Sequence, residues 1–486
     1  MQGEIQRMTV LHIIDARIVL DEEQQKTFLN LYRRGNNNEI SEVFMMHRMQ
    51  KKNGKTEICF VSVFFFLIFV FAAHAGDVKP LTLDECIDIA LKKSPLIKSS
   101  ELDIEASKEA LKGSKGLQFP KLDLNASYLH ENRPFPYIQT EGPTVPAITS
   151  QNIHTWAFAL RMPIYQGGRL SGQVKISEID NAIQSSKKDF TSQDVISNVT
   201  NAFNKVLQLK ELIKANEKSV EALDSQRKNT ELLLKAERAA KVEYLRIEVQ
   251  FASEQQNLIR AKEAINRAKY NLAYFMGVDG REVPDVAGVL TAVEKVESQE
   301  VEDLLKNRPD IIEATQKVEQ AKTRVDVASG SRYPSLDAVG NYGQRSGAAF
   351  TELKTVWEAG VVASINVFDA GIISSNIGRE KALQRRAEEE LRQTKLKARL
   401  EVDNALSLLT EAQSKLAVSE KAVDQAEESM RIEDLKYRAG AGTVTDVLLA
   451  ESAQSLAQAN YYQALYDYNT AITEYKRATG TIEVKK

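Results

Sequence analysis

Residues able to do chemistry are scarce in this chain. Among 486 residues there are five histidines and two cysteines. Beyond residue 75 only His130, His154 and Cys86 remain, with both histidines expected in one loop. A zinc or iron centre needs three or four converging His, Cys or carboxylate ligands, and this stock does not supply them. A single mature cysteine permits no disulfide framework. There is no nucleophile elbow and no glycine loop shaped for phosphate. The chain reads as a non-enzyme, with no catalytic residue, metal or cofactor assigned.

Bulk properties narrow the class further. The chain is 27% charged and 43% hydrophobic, with net charge −3 and pI near 6.1, which excludes a nucleic-acid binder of the usual basic kind. Lys51, Lys52 and Lys55 precede an apolar run from Ile58 to Ala73, closed by Ala73-His74-Ala75. That is a basic n-region, an h-region and an A-x-A cleavage site, too short and wrongly flanked for a spanning helix. Residues 49–75 are expected to be a signal peptide starting at Met49. Residues 1–48 read as upstream of the true start, and the mature chain would begin near Gly76.

What remains is built twice. The Pro163 to Gly168 turn lies 203 residues before Asn366 to Gly371, and Gly277 lies 203 before Gly480. Earlier in each copy the offset is 214, relating Pro95 to Pro309, Phe119-Pro120 to Tyr333-Pro334, and Tyr128 to Tyr342. The difference is extra length in loop 130–155, which carries Pro134, Pro136, Pro143 and Pro146. A unit this long exceeds solenoid repeats, so residues 76–277 and 300–480 read as duplicated halves. Between them lies a 278–299 linker, and 481–486 form a tail.

Each half predicts helix, two strands, a very long helix and a final helix. In the first half the helices run from Leu83 to about Leu117, broken near Ser94-Pro95, then from Ser171 to about Arg238 and from Val242 to Met276. In the second they run from about Glu300 to Ser329, Ser374 to Arg438, and Thr443 to Thr479. The long helices would each span roughly 100 Å, which suits a rod or tube wall. In the last helix, Val447, Ala450, Gln454, Ala457, Tyr461, Ala464, Tyr468, Ala471, Tyr475 and Ala478 alternate spacings of three and four. Tyr244, Ile247, Phe251, Glu254, Leu258, Ala261, Ile265, Ala268, Leu272 and Phe275 repeat this in the first half. That is a 3.5-residue period, typical of close helix pairing.

The strands alternate. Leu122, Leu124, Ala126 and Tyr128 share one face, and so do Trp156, Phe158, Leu160 and Met162. The second pair carries Leu336, Ala338, Gly340 and Tyr342, then Trp357, Ala359, Val361, Ala363, Ile365 and Val367. An apolar face of 8–11 residues can cross a bilayer when tilted. Trp156, Trp357, Tyr128 and Tyr342, with Tyr165 and Phe368, sit where an aromatic girdle would. Asp123, Asn125, Asn341 and Glu358 would wet the opposite face, with a weak cation bias. Lipid tolerates no open sheet edge, so closure requires several chains. Two would give eight strands and a filled interior, three twelve strands and a lumen.

Residues from about 80 to 481 resemble the TolC-type outer-membrane efflux family. Tyr437-Arg438-Ala439-Gly440-Ala441-Gly442-Thr443-Val444-Thr445-Asp446-Val447-Leu448-Leu449-Ala450-Glu451 is the most specific segment. Asn307-Arg308-Pro309-Asp310-Ile311 and Tyr333-Pro334-Ser335-Leu336 also match. The resemblance implies a mostly α fold with a small membrane β-barrel: a homotrimer whose 12-stranded barrel, four strands per chain, continues as a 12-helix α-barrel tunnel. It implies location in a Gram-negative-type outer membrane, in contact with its lipid, with a tunnel across the periplasm and a collar from the linker and tail. Its implied partners are a periplasmic adaptor and an inner-membrane pump, proton-driven or ABC.

By position, Tyr437 matches the family's gate tyrosine, Asp446 a ring aspartate and Glu243 the tyrosine's carboxylate partner. The gate arginine is replaced by Gly442 and the second ring aspartate by Leu449. Gly440, Gly442 and Thr443 match the turn that docks an adaptor hairpin. Asp446 is equally placed to cap a helix start, and the glycines to end one. The implied function is an exit duct for small molecules. A type I protein-secretion duct and, in another class, a periplasmic coiled-coil adaptor or scaffold are the alternatives.

Overall fold

The computed structural model describes residues 80–130, 132, 149–280, 285–293, 305–348 and 353–482. The expected start and signal peptide lie outside the described residues, as do most of the proline-rich loop, parts of the linker and residues 483–486. The elements are α1 (Leu83–Lys93), α2 (Pro95–Gly116), β1 (Lys121–His130), β2 (Thr149–Gln166), α3 (Arg169–Lys235), α4 (Lys241–Met276), α5 (Pro309–Gly330), β3 (Ser335–Ala348), β4 (Lys354–Ser364), α6 (Ile372–Arg438) and α7 (Val444–Thr479).

Helix lengths recur in order. α2 and α5 have 22 residues each, α3 and α6 have 67, and α4 and α7 have 36. At about 1.5 Å per residue the 67-residue helices are ~100 Å long. α1 starts in a capping box, with the Thr82 hydroxyl accepting from the Glu85 N–H and the Glu85 carboxylate from the Thr82 N–H. The helix expected from Glu300 is interrupted rather than continuous: its first residues lie outside the described residues, Leu305 and Lys306 are helical, and the chain breaks at Asn307-Arg308 before α5. Arg308 is an extended N-cap and Pro309 opens the helix, because proline disfavours helical backbone in the residue before it.

The four strands form one antiparallel sheet in the order β1-β2-β3-β4. β2 is longer than alternation alone suggested, starting at Thr149. His154 pairs with Tyr128 and His130 with Asn152, so both histidines stand on strands rather than in the loop. β4 is shorter and ends at Ser364, where β3 begins opposite it at Ser335. Ile365 and Val367 therefore lie past the strand, 56% and 90% exposed. Apolar alternation continues beyond the last available partner.

The long helices pair as hairpins, α3 with α4 and α6 with α7. α3 also packs against α2, α5 and α7, and α5 against α6. The period-3.5 positions face inward: Ile247, Glu254, Ala261, Ala268 and Leu272 on α4 are buried, as are Val447, Ala450, Ala464, Tyr468, Ala471, Tyr475 and Ala478 on α7. One core joins Cys86 and Ala90 of α1, Val199, Phe203 and Val206 of α3, and Leu272 and Met276 of α4 to Val286 and Leu290. Each such large apolar side chain contributes about 1.5–3 kcal/mol. The described linker is clasped there by a parallel Leu81–Val286 bridge, a Lys210–Asp285 ion pair at 2.8 Å, and Asn469, whose Nδ2 donates to the Thr291 carbonyl at 2.9 Å. Among the described residues, no helix is long and apolar enough to cross a membrane.

Candidate functional site

The ends of α3 and α6 are built alike. α6 closes at Ala439, and Gly440 turns left-handed at φ +74. The Ala441 N–H donates to the Lys436 carbonyl at 2.8 Å and the Gly440 N–H to that of Tyr437 at 3.0 Å, the paired bonds of a Schellman turn. α3 closes at Ala236, and the left-handed residue is Glu237 at φ +57. Arg238 and Glu237 donate to Leu233 and Leu234 at 2.8 and 3.0 Å. The helix thus breaks earlier than the expected Ala239-Ala240, and on a residue with a side chain.

α7 begins in a second capping box. The Thr443 hydroxyl donates to Asp446 Oδ2 at 2.6 Å and accepts from the Asp446 N–H at 3.3 Å; the Thr443 N–H donates to Oδ2 at 3.1 Å. The Thr443 hydroxyl and N–H, helped by Lys436, hold the Asp446 carboxyl below its ordinary range, so this exposed aspartate stays ionised. Gly442 donates to the Lys436 carbonyl at 3.1 Å. A side chain at Gly442 would meet Lys436 Cβ at 3.0 Å and the Tyr437 nitrogen at 3.1 Å.

Tyr437 and Glu243 are both half-buried. Within the single chain no hydrogen bond or ion pair among the described residues joins them. Three contacts invisible in the sequence tie the region instead. Arg246 Nη1 donates to Thr445 Oγ1, linking α4 to α7. Tyr244 Oη donates to Glu248 at 3.1 Å. The Arg227 guanidinium lies 4.9 Å from the Phe251 ring centre. No offset or motif marked these pairs.

Higher up, two carboxylates are buried where α3, α4 and α7 meet. Glu254 is 4% exposed and Glu451 5%. Burial pushes the Glu451 carboxyl up to about 7; the Ser219 hydroxyl, donating at 3.2 Å, opposes this, and the Glu254 charge adds to it. Glu254 was legible as an inward position, but Glu451 was not.

The sheet has two unlike faces. Register places Leu124 opposite Phe158, Phe158 opposite Tyr342, and Tyr342 opposite Trp357, with Trp156 opposite Ala126. Tyr128, Trp156, Tyr342 and Trp357 thus share one face, toward the end remote from the helices. At the helix end Phe119, Tyr165, Tyr333 and Phe368 are exposed. On the other face Asp123, Ala159, Asn341 and Glu358 make one row, and Asn341 Nδ2 donates to Glu358 Oε1. Every residue of β1 and β4, the two edge strands, is exposed. Among the described residues no group of three or more His, Cys, Asp or Glu could hold a metal ion.

This arrangement has known counterparts. Two nodulation protein T sequences from Rhizobium leguminosarum are similar over part of their length. That of bv. trifolii is 24% identical over 170 residues, 34% of this chain and 36% of the relative. That of bv. viciae is 28% identical over 167 residues, 34% of each. The chain therefore spans about a third of the length of these relatives. Among solved structures, the outer membrane protein VceC from Vibrio cholerae is 18% identical, with TM-score 0.69 over 82% of this chain and 96% of its own. The Campylobacter jejuni CmeC outer membrane channel is 19% identical, with TM-score 0.72 over 82% and 85%. At such identities the fold is what is shared. The family-level match is broader: residues 86–278 and 301–481 fit the outer membrane efflux protein profile, and the chain belongs to that family of the Gram-negative outer membrane.

Proposed function

We propose that three copies of the chain close into a duct that passes small molecules, handed over by an inner-membrane pump and a periplasmic adaptor, out of the cell. The observation that carries it is the four-stranded sheet, apolar on one face, polar on the other and unpaired at both edges. Pairing β4 of one copy with β1 of the next removes every edge, as lipid demands. The two aromatic bands fit a bilayer. Trp156 and Tyr165, both on β2, are nine residues apart, about 30 Å along the strand and ~23 Å after a 40° tilt, close to the ~25 Å apolar height of such barrels.

The helices support the same closure. Val242, Leu245, Val249, Ile259, Tyr270 and Tyr274 form an exposed stripe along α4, and Leu396, Leu400, Leu408, Val418, Ile432 and Leu435 along α6. The Tyr437, Glu243 and Asp446 ends would narrow the periplasmic mouth, and the Gly440, Gly442 and Thr443 turn would receive the adaptor. Light scattering of the detergent-purified chain, followed by planar-bilayer recording, tests this. The expected result is a trimer with discrete conductance steps; a monomer that conducts nothing would sink the duct.

A further inference from the structure

Just below the sheet, α3, α5 and α6 line an open cleft of about 400 Å³. Each helix contributes one arginine to it, Arg169, Arg324 and Arg379, against a single acid, Glu380. None of the three guanidinium groups is used up. Arg169 donates through Nε and Nη2 to Gln166 at 3.0 and 2.9 Å. Arg324 donates to Gln320 at 3.3 Å, and Arg379 donates twice to Glu380, at 3.1 and 2.9 Å. A guanidinium carries five N–H donors, so each keeps some for a ligand. Gln173 and Asn376 line the same cleft and add amide donors.

The side on which the cleft opens follows from a chain of bonds. Gln166, which holds Arg169, donates through Nε2 to Asp337 at 2.8 Å. Asp337 lies on β3 two pleats from Asn341, on the polar face that carries Glu358. The polar face of the sheet therefore runs directly into the cleft. Arg324 and Arg379 are exposed and Arg169 half-buried, so the three like charges repel only weakly through water, and an oxyanion bridging them would be held chiefly by their free N–H donors. Planar forks favour groups with two or three oxygens.

We propose that this cleft is an anion-binding site for small solutes bearing phosphate or carboxylate groups, and that it gives anionic cargo a foothold at the neck of the duct. Its role in transport rests on the duct proposed above; binding itself does not. The experiment uses the full chain in detergent, titrated with inorganic pyrophosphate by calorimetry and recorded in planar bilayers with pyrophosphate added. Wild type should bind about one pyrophosphate per chain and show reduced single-channel current. The double variant Arg324→Gln/Arg379→Gln should bind at least ~10-fold more weakly, the scale of losing charge-assisted bonds, and lose the current block. Arg386→Gln, an exposed arginine outside the cleft, should change neither. Failure of wild type to bind, or equal binding by the double variant, overturns the site while discrete conductance would still uphold the duct. Binding without any conductance would leave the site standing and remove the duct. Saturation by phosphatidylglycerol in nanodiscs, in place of pyrophosphate, would overturn the lumenal assignment.

Discussion

Glu237 and Gly440 stand 203 positions apart and hold the same left-handed backbone, at φ +57 and +74. Each closes a 67-residue helix with the same pair of hydrogen bonds. Only Gly440 does so without steric cost. Glu237→Gly should therefore raise stability by about 1 kcal/mol, and Gly440→Ala should lower it by a similar amount. Thermal midpoints in detergent check both; opposite shifts are expected.

The buried Glu451 carboxyl makes stability depend on pH. Its folded-state value, about 7, lies above the ordinary 4.5, so the folded state holds its proton more tightly. Its unfavourable contribution is absent below pH 4.5, grows through the interval, and is complete above 7. The wild-type midpoint should fall as pH rises from 5 to 7.5, whereas Glu451→Gln should flatten that slope and melt higher at pH 8. A parallel decline in both proteins would rule Glu451 out as the cause.

Arg308 is 3% exposed and binds three elements at once: Asp310 on α5 at 2.8 Å, Glu401 on α6 at 2.7 Å, and the Ala478 carbonyl on α7 at 2.6 Å. Burial works against its charge, but Asp310 and Glu401 outweigh this and raise its proton affinity above the ordinary value. Arg308→Ala strands two acids and should cost about 3–5 kcal/mol. Limited proteolysis across the α5 start reads the loss.

At the neck, a side chain on Gly167 would come within 2.2 Å of the Gly330 carbonyl oxygen. Gly167→Ala should destabilise the folded chain by about 2 kcal/mol or more. The position 214 before Gly330 is Gly116, where nothing stands within 4 Å in the single chain. If the halves are true copies, Gly116 meets the next chain's Ala370 turn. Gly116→Leu should then leave the fold intact and reduce the trimer fraction in native electrophoresis.

Tyr437→Phe and Glu243→Gln should each raise single-channel conductance if the two residues help narrow the mouth. Unchanged conductance in both variants and in the double variant would remove that role.

Much of the architecture was legible because its periods are long and uninterrupted. The period-2 pattern from Leu122 to Tyr128 and the 3.5 period from Val447 to Ala478 each persist far enough to specify strand and paired helix. Position-specific chemistry was less legible. Nothing about Glu237 announces a left-handed residue, because the carbonyl bonds around it impose that backbone. Alternation could not place the end of β4, since Ile365 and Val367 continue the pattern past the last partner. Asp446 was readable as a cap because Thr443 stands three residues before it. Arg246 and Thr445 meet only because two distant helices cross.

The two raw edges and the oily face of the sheet bear on the life of a single copy before it is assembled. A strand such as β4, exposed along its whole length, pairs with any backbone it meets. An apolar sheet face of this kind adheres to any other. A folded copy therefore has no safe waiting state in water. If three copies close the sheet, as proposed, its hairpins must stay unmade or escorted until lipid and sister chains are at hand, which would make insertion and assembly one event rather than two.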